Sequence, residues 1–296
     1  MSLAFADTTL DITAALGAIW QVLRDADPGN RGILPLAPDP DLPALCNSLQ
    51  QASRVLLVTG FPVLHAGGAA ETDGPAGVAA LAYALHGLGI DTHVVTDENC
   101  RKVVAAACED AVSGIPVHAI PMEGGADACR QLLQTLQPSH IIALERPGMA
   151  ADGHYYNFRG KTIDHLLGDT HTLFVETDAI TVAIGDGGNE LGLGIMADAV
   201  CETAALGALV CARESADYTL VSGVSNWWGW GLAAALSLYA CKDLLPSDAD
   251  ELHRAELVQD AGGVDGVLGT PERMVDGLSM EQNLCILRAL RKAAGL

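Results

Sequence analysis

Arg54-Val55-Leu56-Leu57-Val58-Thr59-Gly60 is an unbroken apolar run closed by a Thr-Gly pair. A run this short, apolar on both of its alternating faces, reads as a strand buried between two layers of a parallel sheet. Similar runs recur at 91–96, 115–120, 140–144, 180–184 and 216–222. Helical patterns lie between them at 76–88, 98–112 and 126–136, with further helices at 232–244 and 280–294. Strands alternating with helices at this spacing predict right-handed βαβ units. The expected fold is α/β: a mostly parallel sheet with helices on both faces, a Rossmann-like three-layer sandwich. Before it, residues 1–53 read as a helical N-terminal extension packed on the main domain of 54–296. Its first helix carries Leu10, Ile12, Leu16, Ile19, Trp20 and Leu23 at helical spacing. A Gly/Pro-rich connector and a second short helix near 44–53 follow.

Half of the 296 residues are hydrophobic, enough for a large core. The formal net charge is −21, which argues against nucleic acid as a partner. The ligand expected from the loops below is a small anionic metabolite, which needs a local basic or metal-bearing site to overcome this field. No apolar run reaches the roughly 18 residues of a membrane span. The start of the chain carries neither a basic segment nor a long apolar core, so a cytoplasmic location without a secretory leader is expected. Eight cysteines occur without a CxxC pair and mostly in apolar surroundings. They read as small buried thiols of a reducing compartment. A homo-oligomer is left open.

An open α/β sheet binds ligands beyond the carboxyl ends of its strands, so the loops after the strands hold the candidates. Gly185-Asp186-Gly187-Gly188-Asn189-Glu190-Leu191-Gly192 combines glycines, an amide and two carboxylates. Carboxylates in such a turn suit hard cations or proton transfer, and the backbone of Gly187, Gly188 and Asn189 can approach a ligand closely. Glu71 and Asp73 precede a Pro-started helix, where capping competes with a place in a site. The loop from Glu145 to Lys161 concentrates Arg146, Arg159 and Lys161 in a stretch otherwise poor in base, beside His154, Asn157 and three aromatic residues. Arginine suits carboxylates through its planar fork. Ser225 and Asn226 open a helix whose free N–H groups suit an oxyanion or a carboxylate. The glycine stretch is not a G-x-G-x-x-G after the first strand, so no nucleotide cofactor is expected. Nucleophile-elbow, Walker and HExxH patterns are missing from the sequence.

Five stretches, in order, resemble one family: Thr59-Gly60-Phe61-Pro62; Glu71-Thr72-Asp73-Gly74-Pro75; Glu145-Arg146 through Asn157; Gly185 through Gly192; and Gly223-Val224-Ser225-Asn226. The chain, from about residue 54 to its end, is similar to the D-glutamate cyclase-like C-terminal domain family. That resemblance implies a hydro-lyase converting D-glutamate to 5-oxo-D-proline and water. A divalent metal, Mg²⁺ or Mn²⁺, would assist it. Asp186, Glu190 and Glu145 are the expected ligands, with Glu71 or Asp73 as a further one. Arg146 or Arg159 would grip the substrate carboxylate, and His154 or a free carboxylate would move protons, with Asn157 beside them. Ser225, Asn226, Gly187, Gly188 and Asn189 would contact the substrate. Two other functions fit the same acids: a metal-dependent hydrolase or phosphatase of a small metabolite, and a non-catalytic metal- or metabolite-binding module.

Overall fold

The computed structural model describes residues 11–28 and 33–296. Leu10, the first apolar position of the expected N-terminal helix, lies outside them. The strands are β1 (Arg54–Val58), β2 (Pro62–Val63), β3 (Ala69–Ala70), β4 (Asp91–Asp97), β5 (Val117–Ile120), β6 (His140–Leu144), β7 (Ile180–Gly185), β8 (Tyr218–Val221), β9 (Met274–Val275) and β10 (Leu278–Ser279). Six of these form one sheet in the order β5-β4-β1-β6-β7-β8, every neighbouring pair parallel. The order is that of a doubly wound sheet: the chain winds outward from β1 to one edge, then from β6 to the other. Val58 is in register with both Val95 and Ala143, and Leu144 with Ile184. The carboxyl ends of β1, β6 and β7 therefore finish level, and a crevice opens between β1 and β6, where the winding direction reverses.

The helices are α1 (Ile12–Asp25), α2 (Leu42–Gln50), α3 (Pro75–Gly87), α4 (Arg101–Ala111), α5 (Gly125–Leu136), α6 (Thr172–Val175), α7 (Ala197–Thr203), α8 (Gly207–Val210), α9 (Ser225–Ala240), α10 (Asp248–Asp260) and α11 (Met280–Ala293). The alternation of β1 shows why its sequence is apolar throughout. Val55 and Leu57 enter the core shared with α1, α2, α3, α9 and α11, while Leu56 and Val58 face Cys129 of α5 and Leu173 of α6. Helix α1 starts on an Asp11 cap, whose carboxylate accepts the Thr13 and Ala14 N–H groups at 3.0 and 3.2 Å. Its buried stripe of Leu16, Ile19 and Leu23 joins the main core, and Trp20 stacks on Trp228 with ring centroids 5.8 Å apart.

Helix α9 differs from expectation, and α6, α7, α8 and α10 have no counterpart in it. The helix expected at 232–244 begins at Ser225 and ends at Ala240. Its glycines and tryptophans do not break it, because α9 is buried on nearly every side and its stability comes from packing rather than propensity. Trp227 donates to Asn283 Oδ1 at 2.8 Å and Trp228 to the Val221 carbonyl at 2.9 Å, which makes them core residues of the helix layer. Helix α10 was not anticipated. A capping box joins Ser247 and Asp250, and one side of the helix is anchored by the buried Glu251–Arg254 pair instead of an apolar stripe. All eight cysteines are free thiols.

Candidate active site

The N-termini of α3 and α9 meet above the crevice and cap each other through side chains far apart in sequence. Asp73 accepts the N–H groups of Ser225 at 2.9 Å, Asn226 at 2.8 Å and Gly74 at 3.0 Å. It thereby supplies the negative charge that the first turn of α9 favours. Asn226 returns the contact: its Oδ1 accepts from Gly74 at 2.9 Å and Gly77 at 2.6 Å, and its amide donates to the Thr72 carbonyl at 3.1 Å. Ser225 donates its hydroxyl to Glu145 Oε2 at 2.5 Å. The N–H groups expected to meet a substrate carboxylate thus hold Asp73, and Ser225 and Asn226 orient the acids of the site.

Glu145 follows β6 with φ of 47°, a left-handed conformation that costs a non-glycine residue about 1–3 kcal/mol. Its carboxyl group thereby turns towards those of Asp73 and Asp186. These three side chains are buried and offer oxygens that all lie within 4.8 Å of one another. Such a donor set, hard, anionic and held by N–H and O–H groups from behind, can hold a divalent ion. Glu71, also buried, lies beside Glu145. Burial, and then repulsion from Glu145, Asp276 and Asp73, hold the Glu71 carboxyl well above the usual range. Burial likewise raises Glu145, followed by repulsion from Glu190, Asp73 and Asp276, with the Ser225 hydroxyl pulling the other way. Such a cluster binds cations or keeps protons, because its members repel one another when all are ionised.

The glycine stretch after β7 carries Asp186 into this cluster and holds Glu190 at its edge, near enough to repel Glu145. Glu190 folds back to accept the N–H groups of Asp186 at 2.9 Å, Gly187 at 2.7 Å and Gly188 at 2.6 Å. Both of its oxygens thereby tie the loop together. Gly188 has φ of 88°, and a Cβ there would lie 2.1 Å from Val200 Cγ2, so the turn and the approach of α7 both require glycine. Asn189 donates to the Tyr156 carbonyl at 3.0 Å and lines the open pocket beside the cluster.

This pocket has a volume of about 260 Å³, and Glu71, Glu145, Asn157, Arg159, Asn189 and Asp276 lie in its wall. Glu145 belongs to both the wall and the buried trio, linking the two. Arg159 sits at the rim and donates to the Val267 carbonyl at 3.3 Å, while Asn157 accepts the N–H groups of Arg159 and Lys161. Arg146 lies elsewhere. Its guanidinium is fully buried, forks onto Asp97, and donates to Thr170 Oγ1 at 2.8 Å and the Gly168 carbonyl at 2.7 Å. It ties the loop to β4 and is not part of the pocket wall. His154 is exposed, pairs with Asp164 at 2.7 Å and is not in the wall either. Two wall residues, Asp276 and His65, were missed from sequence. Asp276 stands in an Asp-Gly pair, which reads as an ordinary turn, but its φ of 52° marks a carboxylate held in an unusual conformation. Nothing local distinguishes His65.

Fold and site define a doubly wound α/β domain with a carboxylate-rich cleft at its topological switch point. Residues 21–291 match the family model described as D-glutamate cyclase-like, C-terminal, and the chain belongs to that family. It is 37% identical over 232 residues to "D-glutamate cyclase, mitochondrial" of Homo sapiens, an alignment covering 73% of this chain. The alignment covers 38% of the relative's length. Among the described residues no helix is long and apolar enough to cross a membrane.

Proposed function

We propose that this domain catalyses a D-glutamate cyclase-type reaction, closing D-glutamate to 5-oxo-D-proline with loss of water. The observation that carries the reading is the convergence of Asp73, Glu145 and Asp186 at the switch point of a chain that matches this family over residues 21–291. In the reaction the amine nitrogen bonds to the γ-carboxyl carbon and a C–O bond breaks. Two of the three ammonium protons end on the departing oxygen, so atoms and charge balance without an oxidant or co-substrate.

The trio's hard oxygens suit Mg²⁺ or Mn²⁺. Such an ion, when bound, supplies Lewis-acid polarisation of a carboxylate that is otherwise a poor electrophile. The chain's own residues do the rest. Ser225 fixes one oxygen of Glu145, and the N–H groups of α9 fix both oxygens of Asp73. Arg159, at the rim, meets the substrate carboxylate that points outward. Glu71, buried in the pocket wall beside Glu145, presents its carboxyl group to the reacting groups. Turnover of D-glutamate to 5-oxoproline, followed by NMR with and without added Mn²⁺, tests the proposal. Absence of product under both conditions would sink it.

A further inference from the structure

Glu71, Glu145 and Asp276 put three carboxylates in the pocket wall, against the guanidinium of Arg159 at the rim. Glu71 is more than nine-tenths buried, and its Oε1 has no hydrogen-bond partner. A side chain at Gly266 would collide with Glu71 Oε2 at 2.4 Å and lie 3.6 Å from Asp276 Oδ1, so both carboxylates come together over that glycine. A buried acceptor without a partner is costly unless a ligand supplies a donor. A wall of carboxylates repels a purely anionic ligand and attracts an ammonium group, which presents three N–H donors.

We infer that Glu71 and Asp276 form a subsite for the α-ammonium group of an amino-acid substrate. The amino end points inward, and the carboxylate end lies towards Arg159. The inference rests on the cyclase reading for the identity of the amino acid, and it assigns specificity to residues outside the Asp73–Glu145–Asp186 trio. In this orientation the pocket selects a zwitterion over a dicarboxylate of the same length. The small anionic metabolite expected from the loops becomes an α-amino acid held at both ends. Gly266, without a side chain, leaves room for the Glu71 carboxylate to lie beside Asp276.

Calorimetric binding of D-glutamate and of glutarate, which lacks the amino group, tests this on the full chain at fixed Mn²⁺. The unaltered protein binds D-glutamate more tightly than glutarate, by about 10- to 100-fold, the effect of a lost charge-assisted hydrogen bond. Glu71→Gln, nearly isosteric, and Asp276→Asn, which retains a residue tolerant of positive φ, each weaken D-glutamate and leave glutarate unchanged. Mn²⁺ affinity of both variants, measured separately, stays unchanged. Equal binding of the two ligands, absence of D-glutamate binding, equal loss of both ligands in the variants, or a matching fall in Mn²⁺ affinity overturns the subsite. Amine-selective binding without product retains the subsite and rejects the cyclase reading. Product formation without amine selectivity does the reverse.

Discussion

Replacing Arg146 by alanine separates a structural arginine from a substrate-binding one. The guanidinium is fully buried and makes five hydrogen bonds: two to Asp97 and one each to Thr170, Gly168 and Gly60. Asp97 is itself fully buried and keeps one other contact, the Gly168 N–H at 2.7 Å. Truncation strands that carboxylate without its counter-charge, a loss of about 3–5 kcal/mol for a buried pair with one partner removed. Two main-chain carbonyls also lose a donor. Against a total stability of about 5–15 kcal/mol, the variant loses about a fifth or more. Arg146→Lys keeps the charge but not the fork, and falls between the two. The Asp97→Ala/Arg146→Ala pair loses less than the sum of its single variants, by about 0.5–3 kcal/mol, because no orphaned charge remains. Urea unfolding followed by circular dichroism measures the parent and all four variants. A loss below about 1 kcal/mol in Arg146→Ala, together with abolished turnover, would refute the structural assignment and return Arg146 to the substrate.

Asp186→Asn is expected to lower Mn²⁺ affinity at least about tenfold with little change in melting temperature, while Glu190→Gln, which weakens the tie of three N–H groups, lowers stability by about 1–3 kcal/mol first. Calorimetry and thermal melts distinguish them, and the opposite pattern would exchange the two roles. Glu251 is held up to about 7, chiefly by burial. A raised carboxyl favours the native state below pH 4.5, and this contribution is lost as pH rises to about 7, a span worth about 3 kcal/mol. Glu251→Gln flattens the stability profile across that window, and an unchanged profile refutes the assignment. His154→Gln, at an exposed pair outside the pocket wall, leaves turnover within about twofold of the parent; a larger kinetic loss places His154 in the reaction.

The sheet was legible because β1, β4, β6 and β7 are short apolar runs followed by glycine-rich or acidic loops, and a strand buried on both faces needs no pairing information to be recognised. α9 was not fully legible, since Gly229 and Gly231 oppose helix in isolation and only burial on all sides overrides them. α10 was missed because its cap and its Glu251–Arg254 pair carry a segment with no apolar period. Among the candidate acids, residue type and loop position placed Glu71, Asp73, Glu145, Asp186 and Glu190 near strand ends. The side-chain directions came from elsewhere: the N-terminus of α9 holding Asp73, the positive φ of Glu145, and three N–H groups drawing Glu190 back into its own loop.

By itself the sequence determined the alternation of buried strands and helices, and hence a crevice at the carboxyl ends of the strands, because local hydrophobic pattern and connection length decide both. It also placed an arginine pair and a glycine-rich turn at that crevice. Only the tertiary structure decided that Arg146 serves Asp97 while Arg159 faces the pocket, and that Asp276, about 130 residues beyond Glu145, joins the same wall. The reason is physical: a charged group's role is set by which partner desolvates and neutralises it, and those partners are brought close by folding alone.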